Sequence, residues 1–328
     1  MNTNTMLRTV ARAVLLPALL SLWLPATALA QDWPTKPVRV VINFPPGGPS
    51  EIVMRLAGER LLPALGQTIV IENKPGASGN IGAEAVARSA ADGYTFGITP
   101  DTLYTVNPLV FRKMPFDPWE DLAPVILVGS FSQMLVCNPS VPVSNLHDLI
   151  ELAKSKKLAY ASGGPGVPGH LATELMLSMT GVSMLHVPYK GPAPATQDVI
   201  GGQVPCGFLA APTVLPHVKS GKLKALAVST RTRSPLAPDV PTAEEAGIPG
   251  FDAPFYLVLF APKGTPAPVI ERMNAEMAKA LAAPEVKQRA AALDIVTLGG
   301  SAQHARETLE ATARKWAPVV KRIGLKLD

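Results

Sequence analysis

From Val38 onward, short runs of apolar and β-branched residues alternate with stretches whose apolar positions recur every three or four residues. Period-2 or continuous apolar runs read as strands and the longer period as amphipathic helix, so the alternation predicts successive parallel α/β units. The expected order is a strand over 38–43, a helix over 50–64, a strand over 68–72, a helix over 81–90 capped by Asn80, and a strand over 94–99. These elements make two consecutive crossovers.

The segment "PDTLYTVNPLVFRKMPFDPWEDLAP" then breaks the rhythm, with four prolines between Pro100 and Pro118 and another at Pro124. Alternation resumes with strands over 125–128 and 133–137, a helix over 144–154 and a strand over 158–161. A helix over 170–179, a strand over 184–187, a helix over 195–200, a strand over 203–209, a helix over 213–219 and a strand over 223–229 follow. A second proline-punctuated stretch precedes an apolar strand over 256–260 and two long helices. The first of these has Thr265 and Pro266 as its cap and first-turn pair and Ile270, Met273, Met277 and Leu281 on one face; the second carries Leu309, Trp316, Val319 and Val320. The tail has no obvious partner of its own, so it is expected to pack back on the first group. Two α/β lobes joined by two chain crossings, near 124–132 and 229–235, leave a cleft able to close by hinge motion. No repeat of fixed period is visible, which argues against a solenoid or propeller.

The first thirty residues stand apart from this pattern. Arg8 and Arg12 precede an apolar stretch from Ala13 to Leu24 that ends in Ala28-Leu29-Ala30, which reads as a secretory signal peptide cleaved after Ala30. The stretch is shorter than the roughly 20 apolar residues a spanning helix requires. No later stretch is long and apolar enough either, so the expected product is an exported, soluble chain of 298 residues once thirty are removed from 328. The formal charge of +5 falls to +3 with the loss of Arg8 and Arg12. Basic residues are scattered among acids and aromatics are few, which excludes a nucleic-acid surface. Two cysteines, Cys137 and Cys206, each lie in an apolar strand-like run; with no CxxC pair, cysteine-ligated zinc and redox catalysis are unsupported, and buried thiols or a bridge both stay open.

Three strand-to-helix turns carry the candidate chemistry. "FPPGGPSEIV" has neither the lysine of GxxxxGK[ST] nor the spacing of GxGxxG, so a nucleotide phosphate is disfavoured. What remains is small residues ahead of a helix start, which expose N–H groups and partial positive charge to an anion; the bland alternative is a tight turn whose glycines serve only the backbone. "YASGGPGVPGHLATEL" repeats the device, with Ser162 offering a hydroxyl and His170, at the helix start, either capping and packing or touching ligand. In "HVPYKGPAPATQDVIGGQ", Tyr189 and Lys190 either complement a second anionic group or sit at a solvated edge. Catalysis is poorly supported: "GASGN" lacks the last glycine of GxSxG, and the histidines at 147, 170, 186, 217 and 304 show no HExxH or close pairing. An exported hydrolase would have to rest on Ser162 with His170. No cofactor or metal is expected.

Taken in order, these turns and the segments "WPTKPVRVVINFPPGGPSEIVMR", "VIENKPGASGNIGAEAVARSAADGYT", "HVPYKGPAPATQDVIGGQV", "KALAVSTRTRSPLAPDVPTAEEAGIPGF" and "LFAPKGTPAPVIERMNAEMAKAL" resemble the extracytoplasmic substrate-binding receptors of tripartite tricarboxylate transporters, the Bug-type receptors. The likeness covers nearly the whole mature chain. It implies a two-lobed Venus-flytrap, type II periplasmic-binding fold. It also implies a small carboxylate held by backbone amides, hydroxyls and water, then passed without ATP to membrane permease subunits. This chain departs from the family in three places. Glu51 stands where the family usually has aspartate, Val167-Pro168-Gly169 stand where hydroxyl residues are common, and Phe208-Leu209-Ala210 end a strand that often ends in aspartate. With "APFYLVLFAP", these changes point to a more apolar pocket and to an aromatic or aliphatic carboxylate rather than an amino acid.

The resulting expectation is a monomeric periplasmic solute receptor, not an enzyme, with residues 31–128 and 231–328 as one lobe and 129–230 as the other. A ligand-sensing receptor with a signalling partner is the alternative. Carboxylate anchoring is expected from Pro46, Gly47, Gly48, Pro49 and Ser50, and from Ser162, Gly163, Gly164 and Gly166. Tyr189 and Lys190 follow, then Thr99, Asp101 and Thr102. Val167, His170 and Leu209 are expected to read the rest of the ligand.

Overall fold

The computed structural model describes residues 33–327, so the leader peptide and its cleavage point lie outside the described residues. Two sheets organise the molecule. The first has six strands, in the order 295–297, 122–131, 255–262, 95–100, 38–42 and 69–73, and the second has five, in the order 185–188, 159–162, 206–210, 133–137 and 224–228.

The first sheet begins with β1 (Val38–Ile42), helix α1 (Pro49–Leu65), β2 (Ile69–Asn73), α2 (Asn80–Ala87) and β3 (Thr95–Pro100), with β1 parallel to both β2 and β3. Val38, Val40, Val41 and Ile42 are buried almost completely, as expected of a strand covered on both faces. Asn80 does not cap α2 with its side chain. Gly79 holds the cap position, and the Asn80 carboxamide oxygen accepts from Asn107 Nδ2 at 2.8 Å instead.

The proline-broken segment is more ordered than its composition suggests. It forms two short helices, α3 (Thr102–Thr105) and α4 (Asn107–Val110), and leads into β4 (Leu122–Phe131), which starts before Pro124 and runs on through Gly129 and Ser130. Bulges in the β4–β10 pairing absorb this irregularity.

The chain then enters the second sheet at β5 (Gln133–Cys137), followed by α5 (Leu146–Ser155), β6 (Ala159–Ser162), α6 (Pro168–Thr180), β7 (Leu185–Pro188), α7 (Pro192–Ile200), β8 (Cys206–Ala210), α8 (Ala211–Lys219) and β9 (Lys224–Val228). Strand β8 is shorter at its start than the apolar run suggests, because Gln203 N–H is drawn to Asp198 O at 2.9 Å in the turn after α7.

The tail returns to the first sheet. Strand β10 (Phe255–Pro262) inserts antiparallel between β3 and β4, α9 (Ala267–Ala282) packs on α1 and β4, and α11 (Ala302–Ile323) lays Trp316 against Phe255 with ring centroids 5.6 Å apart. Between them lie an additional helix α10 (Pro284–Ala291) and a short edge strand β11 (Ile295–Thr297), where the sequence pattern suggests only two long helices. Thr265 is not a helix cap: Pro266 takes that position, and Thr265 Oγ1 donates to Pro262 O at 2.8 Å.

The two crossings are stitched together. Ser229 N donates to Gln133 O at 2.8 Å, and Ser229 Oγ accepts from Gln133 N at 2.9 Å while donating to Ala253 O at 2.8 Å. Asp294, at a positive φ of 61°, accepts from Ser132 Oγ at 2.9 Å through one oxygen and from Ser234 Oγ through the other. One carboxylate thus holds a residue of each crossing. Among the described residues, no helix is long and apolar enough to cross a membrane.

Candidate ligand-binding site

A narrow cleft lies between the sheets, at the carboxyl ends of the parallel strands of both, where open α/β sheets place ligands. Its walls are mostly apolar, with Ile42, Phe44, Pro45 and Pro100 from one side and Val167, Pro168, Pro192, Phe208 and Leu209 from the other. Phe131 and Gln133 line it at the first crossing.

Helix starts converge here. Gly48 and Val167, the residues capping α1 and α6, both line the cleft, as do the first-turn residues Pro49, Ser50, Pro168 and Gly169. Pro192 at the start of α7 and Ala210 at the cap of α8 line it too. Each helix has proline in its first turn, where φ is already suited and the missing N–H costs nothing. None of the cleft-lining residues is lysine, arginine or histidine. Among the described residues that line the cleft, the partial positive charge comes from the starts of four helices.

The acid in the lining is already engaged. Glu51 Oε2 accepts from Gly47 N at 2.7 Å, while Oε1 accepts from Arg55 Nε and Nη2 at 2.8 and 2.6 Å. Glu51 reaches back across the first turn and takes up one of the amides that the glycine loop would otherwise offer. Pro46 and Gly47 lie on the exposed outer side of the loop; Gly48, Pro49 and Ser50 form its inner side and face the cleft. The loop also meets the opposite side closely. A Cβ built on Gly48 would stand 3.7 Å from Pro192 Cγ, and one on Gly47 would stand 3.6 Å from Ala193 Cβ.

The second glycine turn braces itself. Ser162 Oγ donates to Gly164 O at 3.0 Å, accepts from Gly164 N at 3.1 Å and lies 2.7 Å from His186 Nε2. Gly166 N donates to His170 Nδ1 at 2.8 Å, so His170 acts as a brace within the loop. Ser162, Gly164, Gly166 and His170 thus stand behind the lining, whereas Gly163 and Val167 belong to it. At Gly169 the close approach is absolute: a Cβ there would fall 2.1 Å from the backbone oxygen of Phe208.

The serine and histidine suggested as a hydrolase pair are not partners. Ser162 meets His186, and His170 lies parallel to His186 with centroids 4.0 Å apart, while the Tyr160 ring lies near-parallel to both, 5.0 Å from His186 and 6.2 Å from His170. Burial, with the neighbouring His186, lowers the His170 pKa to about 3, and burial lowers that of His186 to about 4. Tyr160, desolvated and bonded through its hydroxyl to Glu174, is held well above the ordinary phenol range. This is a neutral aromatic stack supporting the loop.

Tyr189 and Lys190 open onto a neighbouring groove lined by Phe44, Ser78, Phe111, Gly164 and Leu327. The Tyr189 hydroxyl donates to Asp198 Oδ2 at 2.6 Å, and burial together with Asp198 raises its pKa to about 12. Thr99, Asp101 and Thr102 are buried behind the cleft wall. Asp101 Oδ1 accepts from Tyr256 N at 3.2 Å and Oδ2 has no partner; desolvation lifts its pKa to about 7.

Several lining residues escape a reading of the sequence. Pro192 has a legible signal, since a proline opens this helix as Pro49 and Pro168 open those after the first two turns, but Tyr189 and Lys190 beside it carry the more obvious chemistry. Phe44, Phe131 and Gln133 carry no local signal, because an apolar run does not tell which member faces a gap between lobes. Among the described residues, no group of three or more histidines, cysteines and acids is placed to hold a metal ion.

The chain is 35% identical to BugT of Bordetella pertussis over 92% of its own length and 94% of that protein. It superimposes on an R. palustris structure with adipate at a TM-score of 0.87 and 36% identity, covering 90% of this chain and 99% of that one. It superimposes on the periplasmic binding protein BugD at 0.86 and 32% identity, covering 90% and 99%. MatC from Rhodopseudomonas palustris, with bound malate, matches at 0.84 and 31%, covering 88% and 100%. The fold is accordingly the two-lobed α/β architecture of these binding proteins, and the chain is a receptor rather than an enzyme. Residues 53–325 match the profile of the tripartite tricarboxylate transporter family receptor, and the chain belongs to that family of periplasmic solute-binding receptors.

Proposed function

We infer that this receptor captures a small organic carboxylate with an apolar body between its lobes, in the periplasm, and delivers it as a monomer to the permease subunits of a tripartite transporter. The carrying observation is the convergence of four helix starts on an apolar cleft that contains no basic side chain. Oriented N–H groups in a low-dielectric wall favour an anion without a lysine or arginine to neutralise it. The Ser50 and Gly169 amides, at the second positions of α1 and α6, are suited to the carboxylate. Gln133 supplies a neutral donor and acceptor near the crossing. Phe44, Phe131, Phe208 and Leu209 would enclose the rest of the molecule.

Glu51 argues against an amino-acid ligand, because its carboxylate is spent on Gly47 and Arg55 and no other acid lines the cleft to meet an ammonium group. Solved structures of relatives with adipate and with bound malate support a carboxylate as the ligand class. On this reading residues 31–128 and 231–328 close against 129–230, with Tyr189, Lys190 and the buried Thr99, Asp101 and Thr102 shaping the surroundings of the site.

The test is a thermal-shift screen of the mature protein against mono- and dicarboxylates, aromatic acids and amino acids, followed by calorimetry on the best compounds. Aliphatic or aromatic carboxylates should raise the melting temperature and amino acids should not. Stabilisation by amino acids alone would overturn the assignment. Export and delivery are tested separately, by recovery of the protein without residues 1–30 from the periplasm and by loss of uptake when the permease subunits are deleted.

A further inference from the structure

Cys137 and Cys206 lie opposite one another in the antiparallel pair β5–β8. The hydrogen bonds at the two ends of this ladder determine which kind of pair they form. Ala211 N donates to Ser132 O at 3.0 Å, and Asn138 N donates to Pro205 O at 2.9 Å, so 132–211 and 138–205 are hydrogen-bonded pairs. Pairs alternate along an antiparallel ladder, and counting inward from either end makes Cys137–Cys206 a non-hydrogen-bonded pair. In such pairs the Cα atoms stand about 4.5 Å apart and the side chains lean toward each other on the same face. That separation falls within the roughly 4.4–6.8 Å that a disulfide spans. The Cys206 thiol donates to Ala159 O at 3.6 Å, and the neighbouring Cys137 thiol, with burial, holds the Cys206 pKa well above the ordinary thiol range.

We propose that Cys137 and Cys206 are a modification site, joined in the exported protein as a cross-strand disulfide that staples β5 to β8. The proposal rests on the export reading above only for the compartment that supplies the oxidant, an exported thiol:disulfide exchange protein. The Cys137 thiol loses its proton and attacks one sulfur of the oxidant's disulfide, forming a mixed disulfide and releasing the oxidant's other sulfur as a thiol. The Cys206 thiol then loses its proton and attacks Cys137 Sγ, forming the Cys137–Cys206 bond and expelling the oxidant as a dithiol. The receptor gives up two electrons and two protons, which the oxidant takes.

Burial places this event in time. Both sulfurs are fully enclosed in the folded lobe, so exchange occurs while β5 and β8 are still associating, and the finished lobe then shields the bond from reductants. The bridge closes a long loop that carries the Ser162–Gly169 turn and the Gly191–Pro192 turn. It sits at the opposite end of the ladder from Gln133 and Ala210, which line the cleft, so it holds the lobe together without touching ligand.

Mature protein recovered from the periplasm is denatured in acid, alkylated with a maleimide with or without prior reduction, and mapped by mass spectrometry. The expected result is no alkylation without reduction, a 137–206 cross-linked peptide, a mass about 2 Da below the dithiol form and two alkylated cysteines after reduction. In a second arm, which does not depend on export, reduced chain is refolded with oxidised glutathione. The same cross-link should form, and the melting temperature should rise by several degrees over the reduced protein. The Cys137→Ala and Cys206→Ala double variant should show no such rise. Two freely alkylated cysteines in periplasmic protein that has lost residues 1–30, or separate glutathione adducts without a cross-link in the refolded chain, would overturn the proposal. Protein retained in the cytoplasm with its leader would count against the export reading, and the refolding arm would still decide the bridge.

Discussion

The carboxylate of Glu51 accepts a 2.7 Å hydrogen bond from the backbone N–H of Gly47, four residues earlier, and so ties the first glycine loop to the helix it precedes. Glu51 is buried, whereas the Arg55 side chain that meets its other oxygen is 64% exposed. The exposed ion pair contributes little, and the buried bond to the amide is the one that shapes the loop.

Replacing Glu51 with alanine is therefore expected to cost about 1–2 kcal/mol of stability and to weaken ligand binding, because the loop loses its tie and Gly47 N–H is left without its acceptor. Glu51→Gln keeps an acceptor oxygen and should retain most of the affinity. Urea melts and calorimetry with the best carboxylate from the screen check both, and equal behaviour of the two variants would refute the role assigned to the bond.

Gly48 should discriminate by size. Its φ of −88° suits any residue, and a Cβ there makes ordinary contact with Pro192. Gly48→Ala is expected to bind nearly as wild type, while Gly48→Leu fills the gap between the lobes and should abolish ligand-induced thermal stabilisation with the fold intact by circular dichroism. Undiminished stabilisation of the leucine variant would contradict the placement of the ligand.

Gly169→Ala is expected to fail for a different reason. Its methyl would collide with the Phe208 backbone oxygen, which cannot swing aside as a side chain can, so α6 must shift from β8 at a cost of about 1–3 kcal/mol. Unlike Gly48→Leu, this variant should lower the melting temperature of the ligand-free protein, and an unchanged value would show that α6 moves freely.

Two opposed pH dependences are built into the fold. His170 and His186 titrate near 6.5 when unfolded but at about 3 and about 4 when folded. The unfolded chain therefore binds more protons below pH 6.5, and the stability they contribute is complete above that pH and lost as pH falls toward 4. Asp101 moves the other way, from 3.8 unfolded to about 7 folded, so its contribution is lost as pH rises from about 4 through 7. Urea titrations across pH 4.5–8.5 should show Asp101→Asn more stable than wild type at pH 8, by an amount on the order of 1–3 kcal/mol, with little difference near pH 4.5. A constant difference at all pH values would assign the effect to packing instead.

Asp294 offers a hinge test. Its two oxygens hold Ser132 and Ser234, and its positive φ is one that asparagine tolerates. Asp294→Asn keeps one acceptor and should bind ligand within a few fold of wild type. Asp294→Ala loses both bonds, about 1.5–3 kcal/mol each when made to a charged group, and should lower stability and broaden the distribution of lobe separations seen by small-angle scattering. Identical scattering from the alanine variant would remove Asp294 from the hinge.

Much of the architecture was legible because the apolar runs of β1, β3, β5, β8 and β10 are short, β-branched or aromatic and bounded by turns. Leu122–Phe131 was harder: Pro124, Gly129 and Ser130 look like breaks, yet bulged pairing with β10 carries the strand through all three. Helix caps misled at Asn80 and Thr265: a distant residue, Asn107, took the Asn80 side chain, and the preceding turn, through Pro262 O, took that of Thr265. In the cleft, the two glycine turns were visible as anion-suited helix starts, and so was the absence of a lysine. The division of labour within them was not, since whether Ser162 meets a ligand or His186 depends on a strand twenty-four residues away.

Gly191 sits across from Pro45 with a φ of +138°, and a Cβ there would press to 2.8 Å from the Pro45 ring. The spot is a threshold rather than a wall: it belongs to neither glycine loop and does not line the cleft, yet the jaws meet on it. A doorstop side chain at this one position would hold the receptor ajar with its recognition surfaces untouched, separating the affinity of an open half-site from the work of shutting it.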